Sequence, residues 1–230
     1  MPAPAIAVCC SGRGTNLQAI LQAIRSRRLH ARVVLVVSDN PSAYALVRAQ
    51  KAGIPAVVID PRRFASRAGF DRALAKILTK ARVRLIVLAG FMRILSAPFV
   101  RRFRGRILNI HPALLPAFPG CHAVREALAH GVKVTGVTVH FVDAHVDSGP
   151  IILQEAVPVH PDDDKEETLL ARIHRVEHRL YPRAIQQVLR RKGACAAKGP
   201  GPFGGEKCQG SHPSGLTPAR LYRSRHEEIV

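Results

Sequence analysis

No tryptophan occurs in the 230 residues, and only three tyrosines do. A chain so poor in large aromatic rings is badly equipped to stack single-stranded nucleic acid. No window approaches the roughly 20 consecutive apolar residues that a membrane-spanning helix needs. The start, Met1-Pro2-Ala3-Pro4, has no basic segment and no long apolar run, so no signal peptide is read there. The five cysteines include no C-x-x-C pair, and the expectation is reduced thiols in a cytoplasmic protein. Acidic residues are scarce: 16 Asp and Glu stand against 35 Lys and Arg, a net charge of +19. Residues 193–230 hold five basic and three acidic residues, so an excess of +17 lies on residues 1–192. A body that basic favours anionic partners without choosing among small anions, phosphates and nucleic acid.

What is present is an ordinary globular composition, 47% hydrophobic and 22% charged, which excludes full disorder. The length suits one domain of about 150–200 residues and a tail. Short apolar runs alternate with stretches of helical spacing. Strands are expected at Ala5–Cys10, Val33–Val37, Ala56–Ile59, Leu85–Ala89, Arg106–His111, Val134–Val142 and Ile151–Val157. Helices are expected from Leu17, and over Ala43–Ala52, Phe70–Lys80, Ser96–Phe103, Cys121–His130 and Glu166–Arg191, the last disturbed at Pro182. This pattern predicts an α/β fold, a doubly wound, mostly parallel, Rossmann-like sheet with an antiparallel edge and a long C-terminal helix. From Gly193 the chain turns to Gly, Pro, Lys and Ser without periodicity, and 193–230 is read as a disordered tail.

Four groups of residues carry chemistry. The loop Ser11-Gly12-Arg13-Gly14-Thr15-Asn16 joins a strand to a helix, whose free N–H groups suit a phosphate. It is neither a Walker loop nor the dinucleotide fingerprint, because Leu17 stands where a third glycine is due. A phosphate monoester fits better than a pyrophosphate, and the plain alternative is a glycine turn with Thr15 or Asn16 as helix cap. In Ile107–Pro112, strand alternation puts Asn109 and His111 on one face near the carboxyl end, where an amide and an imidazole can hold an oxyanion. The loop Asp143–Gly149 offers Asp143, His145 and Asp147; a carboxylate from it that reached His111 would orient the ring and raise its pKa. Glu177 sits at the edge of the buried stripe Ile173, Val176, Leu180, where it must pair with an arginine or bind an amine or hydroxyls of a ligand. The histidines and aspartates lack metal-ligand spacing, and no metal is expected.

In this order and spacing, SGRGTNLQAI (11–20), LAGFMRILS (88–96), ILNIHPALLPAFPG (107–120), TGVTVHFVDAHVDSGPIILQ (135–154) and EHRLYP (177–182) resemble the folate-dependent glycinamide ribonucleotide formyltransferases of purine synthesis. The resemblance runs from about Ala5 to Arg190. It implies a formyltransferase fold over 1–192, with a nucleotide-binding half at about 1–105 and a folate-binding, catalytic half at about 106–192. It implies 10-formyltetrahydrofolate as co-substrate. The phosphate of glycinamide ribonucleotide would rest on Gly14, Thr15 and Asn16, with Glu177 on its ribose or glycinamide end. The folate would lie against Met92, Arg93, Ile94, Leu95, Asn109, Asp143 and Ala144, with Arg67 on its glutamate. Asn109, His111 and Asp147 would be catalytic, with Asp147 keeping His111 cationic. The partners implied are small molecules, with nucleic acid and membrane not expected and the state a monomer or homodimer.

Cys121 departs from the pattern and reads as a small buried residue, and Arg13 adds a cation to the phosphate loop. Two related families fit less well. Formyltetrahydrofolate deformylase carries an N-terminal regulatory domain, for which no room is read before residue 5. Methionyl-tRNA formyltransferase carries a C-terminal β-barrel, for which 193–230 is too short and polar. A non-enzymatic nucleic-acid binder draws support from the charge but from no recognised binding motif.

Overall fold

The computed structural model describes residues 2–160 and 165–191; the expected tail and residues 161–164 lie outside them. The elements in chain order are β1 (Ala5–Cys10), α1 (Thr15–Arg25), β2 (Arg32–Ser38), α2 (Tyr44–Lys51), β3 (Ala56–Val58), α3 (Arg67–Lys80), β4 (Leu85–Leu88), α4 (Ala97–Arg102), β5 (Ile107–His111), α5 (Ala123–Ala129), β6 (Val134–Phe141), β7 (Ile151–Pro158) and α6 (Glu166–Arg190). The sheet order is β3-β2-β1-β4-β5-β6-β7. β1 to β5 are parallel, while β6 pairs antiparallel with β5 and with β7.

The central strands are apolar throughout because both faces are covered. Along β1, Ile6, Val8 and Cys10 face a core shared with α1, α2, α5 and α6, whereas Ala7 and Cys9 face one shared with α3 and α4. Burying both layers removes the side chains of a whole strand from water, at roughly 25 cal/mol per Å² of apolar surface. Cys9 and Cys10 are buried free thiols, and burial pushes that of Cys10 up to about 12. Thiols in that state are poor nucleophiles.

The structure corrects the expected helix boundaries in two places. α6 runs unbroken through Pro182. Pro182 forfeits one helix bond, but Leu180, Tyr181, Ala184 and Ile185 around it are all buried against the sheet. The Tyr181 hydroxyl points at the carbonyl oxygens of Leu88 (2.7 Å) and Leu108 (3.1 Å), fastening the helix to β4 and β5. At the other correction, α1 is capped by neither Thr15 nor Asn16. Gly14 is the cap residue, in the left-handed region at φ 69°, with no side-chain cap bond.

Gly14 is also packed tightly, since a Cβ there would lie 2.7 Å from Cβ of Ala45. Gly14→Ala therefore combines a strained φ with a clash against α2 and is expected to cost about 2 kcal/mol, lowering Tm by about 4–8 °C. Thermal unfolding of the variant checks this; an unchanged Tm would mean that α2 yields freely.

Candidate active site

β5 ends at the site. Leu108 and Ile110 point into the core under α6, and the alternate residues Asn109 and His111 project to the other face. His140 lies directly across from Asn109 in the antiparallel register of β6. The loop after β6 then crosses back over this face and delivers Asp147.

The three side chains meet. Asn109 Nδ2 donates to Asp147 Oδ1 at 3.3 Å and lies 3.3 Å from Nε2 of His140. Asp147 Oδ2 is 3.3 Å from Nδ1 of His111 and accepts the Gly120 N–H at 2.9 Å. His111, 3% exposed, has its Nε2 2.7 Å from the Phe118 carbonyl oxygen. Both ring nitrogens of His111 thus face oxygen acceptors, an arrangement fully satisfied only by the imidazolium.

Charge and burial oppose each other here. Burial pushes the His111 pKa below its ordinary value, against the upward pull of the Asp147 carboxylate and the Phe118 carbonyl. The expected rise is therefore corrected, because removing the ring from water costs the cation more than the neighbouring carboxylate returns. Asp147 is held below the usual carboxylate range: burial raises it, but the His140 ring, the Gly120 N–H and His111 outweigh that.

The loop is built to hold Asp147. Its backbone sits in the left-handed region at φ 51°, which Asp tolerates better than most residues. Asp143 accepts the His145 N–H (3.0 Å) and the Ser148 hydroxyl (2.8 Å), so it braces the loop and makes no bond to His111. A Cβ on Gly149 would fall 1.9 Å from the Phe141 carbonyl oxygen. Only glycine allows the loop to pass that close to the end of β6.

A second pair closes the other side. Glu177 is 5% exposed and Asn16 7%. Asn16 Nδ2 donates to Glu177 Oε2 at 2.9 Å, and His174 Nε2 is 3.9 Å from the same oxygen. The carboxylate thus pairs with an amide and a histidine rather than with an arginine. Its pKa is raised by burial, which the Asn16 bond offsets only in part. Asn16 Oδ1 is buried without a protein partner, so this pocket offers acceptors to a ligand that brings donors.

The segment after β4 forms an apolar ledge beside the glycine loop. Met92 and Ile94 are 69% and 62% exposed, Leu95 is half-buried, and the Arg93 guanidinium stacks on Phe70 at 5.6 Å. The Met92 N–H donates to the Ser11 hydroxyl at 2.8 Å, tying the ledge to the glycine loop. Arg67 and Ala144 are exposed. Cys121 is exposed too, which corrects its reading as a buried residue: it starts the turn before α5 instead of packing beneath it. Two contributors were missed from sequence. From sequence His140 figures only among the histidines without metal-ligand spacing, and Ser11 only as the first residue of the glycine loop; the β5–β6 register and the bond to Met92 reveal what they touch.

The family model described as formyl transferase matches residues 5–185. Phosphoribosylglycinamide formyltransferase of Bacillus subtilis is 42% identical over 183 residues, which cover 80% of this chain and 93% of that protein. This chain belongs to the phosphoribosylglycinamide formyltransferase family. The trifunctional purine biosynthetic protein adenosine-3 of Drosophila melanogaster is 54% identical over 186 residues, 80% of this chain but 14% of that much longer protein. Among solved structures, glycinamide ribonucleotide transformylase 1 from Symbiobacterium toebii superimposes with a TM-score of 0.78 at 54% identity, covering 80% of this chain and 86% of that one. The formyltransferase fold so placed is the seven-stranded sheet with its two-strand antiparallel edge and long last helix. Among the described residues, no helix is long and apolar enough to cross a membrane.

Proposed function

We propose that the chain transfers the formyl group of 10-formyltetrahydrofolate to the amine of glycinamide ribonucleotide. The observation that carries this reading is the convergence of Asn109, His111 and Asp147 in one contact cluster, in a chain that also has a buried carboxylate–amide pair at Glu177 and Asn16. The ledge at Met92–Leu95 suits a flat heterocycle, and on this reading Arg67, Asp143 and Ala144 would also meet the folate. The loop at Gly14, Thr15 and Asn16 opens onto the start of α1 and suits a phosphate monoester. Glu177 would take the hydroxyls or the amine of the same ligand.

The amine attacks the formyl carbon and a tetrahedral oxyanion forms. Asn109 would donate its second amide N–H to that oxygen, and His111 would donate its Nε2–H on exchanging the Phe118 carbonyl for the oxyanion, which has more charge in the transition state than in the substrate. The C–N10 bond then breaks, and the proton lost by the amine passes to N10 with the help of Asp147, through water. As the oxyanion develops next to it, His111 gains the favourable charge that burial alone denies it. Holding both substrates in line contributes the proximity term.

The direct test is formyl transfer from 10-formyltetrahydrofolate with glycinamide ribonucleotide present, then with water alone. Acceptor-dependent transfer is expected; release of formate without acceptor would identify a hydrolase instead.

Glu177 adds a pH signature. Its folded pKa is raised above 4.5, so on acidification it is protonated earlier than an exposed glutamate. Ligand affinity that needs the carboxylate should weaken as pH falls through that raised value. KM for glycinamide ribonucleotide is expected to rise on acidification, and Glu177→Gln to raise KM at neutral pH about tenfold or more while flattening that dependence. A variant that kept the wild-type pH profile would remove Glu177 from the ligand.

A further inference from the structure

In a parallel sheet packed with helices, the helix C-termini and the strand N-termini share one end of the molecule, opposite the carboxyl ends where ligands bind. Here the part of that end at the starts of β2, β4 and β5 is assembled from residues 26–32, 80–84, 101–106 and 190–191. These four segments contain twelve Arg and Lys and no Asp or Glu. They are contiguous. Arg32 is paired beside Ala5 of β1, the Arg84 N–H donates to the Ala5 carbonyl, and Arg106 Nε donates to the Arg84 carbonyl at 3.3 Å. Arg84 Nη2 reaches the Arg191 carbonyl, and the His30 N–H reaches Gln186, which brings in the end of α6. All twelve are exposed except the half-buried Arg106, and none makes an ion pair with a described residue.

Helix dipoles favour a cation in a last turn, which accounts for Arg101 or Arg190 but not for the charges at the strand starts. Nor does it account for the backbone. α2, α4 and α5 are followed by glycines in the left-handed region, Gly53, Gly105 and Gly131, whereas α1 and α3 are followed by Arg27 (φ 59°) and Arg82 (φ 50°) in the same conformation. A non-glycine residue there costs of order 1–3 kcal/mol. Two arginines sit where glycine would be more stable, on a face already crowded with like charge.

We propose that this face binds the phosphate backbone of double-stranded nucleic acid without reading its bases. Eleven of the twelve cations are arginines, whose planar forks match phosphate oxygens. None of the large exposed hydrophobic residues, among them Tyr44, Met92 and Val134, lies in the four segments. A protein partner would find no apolar anchor there, and a bilayer nothing to insert. The scarcity of aromatic rings argues against stacked single strands, not against backbone contact, so the basic excess acquires a partner that composition alone does not assign. β2 to β5 span three strand spacings, about 14 Å, enough to meet roughly four or five phosphates of a duplex.

The test measures binding of the full chain to labelled 20-base-pair RNA and DNA duplexes, and to vesicles containing phosphatidylserine, between 50 and 200 mM salt. Duplex binding with a log–log salt slope of about −4 is expected. Arg27→Gly/Arg82→Gly/Arg104→Ser should weaken it at least tenfold at 50 mM salt and make the slope shallower by about 2 to 3, with formyl transfer unchanged. The two glycines relieve backbone strain, so Tm should hold or rise and misfolding is controlled. Arg63→Ser/Arg125→Ser/Arg175→Ser, which removes equal charge elsewhere, should weaken binding less than threefold. Equal losses in the two triple variants, binding to vesicles only, or no duplex binding at 50 mM salt would each overturn the proposal. Which duplex binds more tightly identifies the source of the phosphates.

Discussion

Asp147→Asn is expected to lower kcat by about 10²–10³-fold, with KM for both substrates changed far less. The substitution keeps size and hydrogen-bonding capacity but removes the charge that faces His111 at 3.3 Å. It also replaces an acceptor with an amide beside Asn109, whose Nδ2 now donates to Asp147 Oδ1. His111 then loses the carboxylate nearest to its ring, and on the proposed mechanism the proton route from amine to N10 loses its base. Steady-state kinetics at saturating substrates, with a thermal melt to verify the fold, measure this. The sign of the stability change is also set: Asp147 is held below its unfolded pKa, so it stabilises the wild type above that unfolded value and the contribution disappears as pH falls through the folded one. Turnover within a few-fold of wild type would remove Asp147 from the chemistry.

Asn109→Ala comes next in expected size. Losing one preorganised donor to an oxyanion typically costs about 10²–10³ in kcat, or about 2.7–4 kcal/mol. If, as proposed, the donor is aimed at charge that exists only during the reaction, kcat and kcat/KM should fall together and KM should stay within about threefold. The amide also joins His140 and Asp147 at 3.3 Å each, so its removal could act by loosening the loop. The Asp147→Asn/Asn109→Ala double variant separates these: if Asn109 acts only by positioning Asp147, the double variant is no slower than Asp147→Asn alone. A rise in KM with kcat intact would make Asn109 a ground-state ligand.

The alternation of elements was legible because each strand carries its own signal. Leu85–Leu88 is four buried apolar residues in a row, and Phe70, Leu74 and Leu78 keep helical spacing over α3. Local chemistry was legible too: the amide and the imidazole two residues apart in β5 must share a face. Pro182 misled, because the cost of one lost helix bond is set locally while the compensating burial is supplied by the sheet. His111 misled in the same way, since a neighbouring carboxylate can be named from sequence but the depth of burial cannot.

By itself, then, the order of apolar and polar residues determined the layered α/β class, the glycine-rich turn at 11–16 and the pairing of Asn109 with His111, because those depend on short-range spacings. Tertiary structure alone decided that Asp147 and His140 reach that pair, that Glu177 finds Asn16 across the length of the chain, and that four arginine-rich turns gather at one end. Such contacts depend on strand register and helix packing, which bring together residues between which no short-range pattern runs.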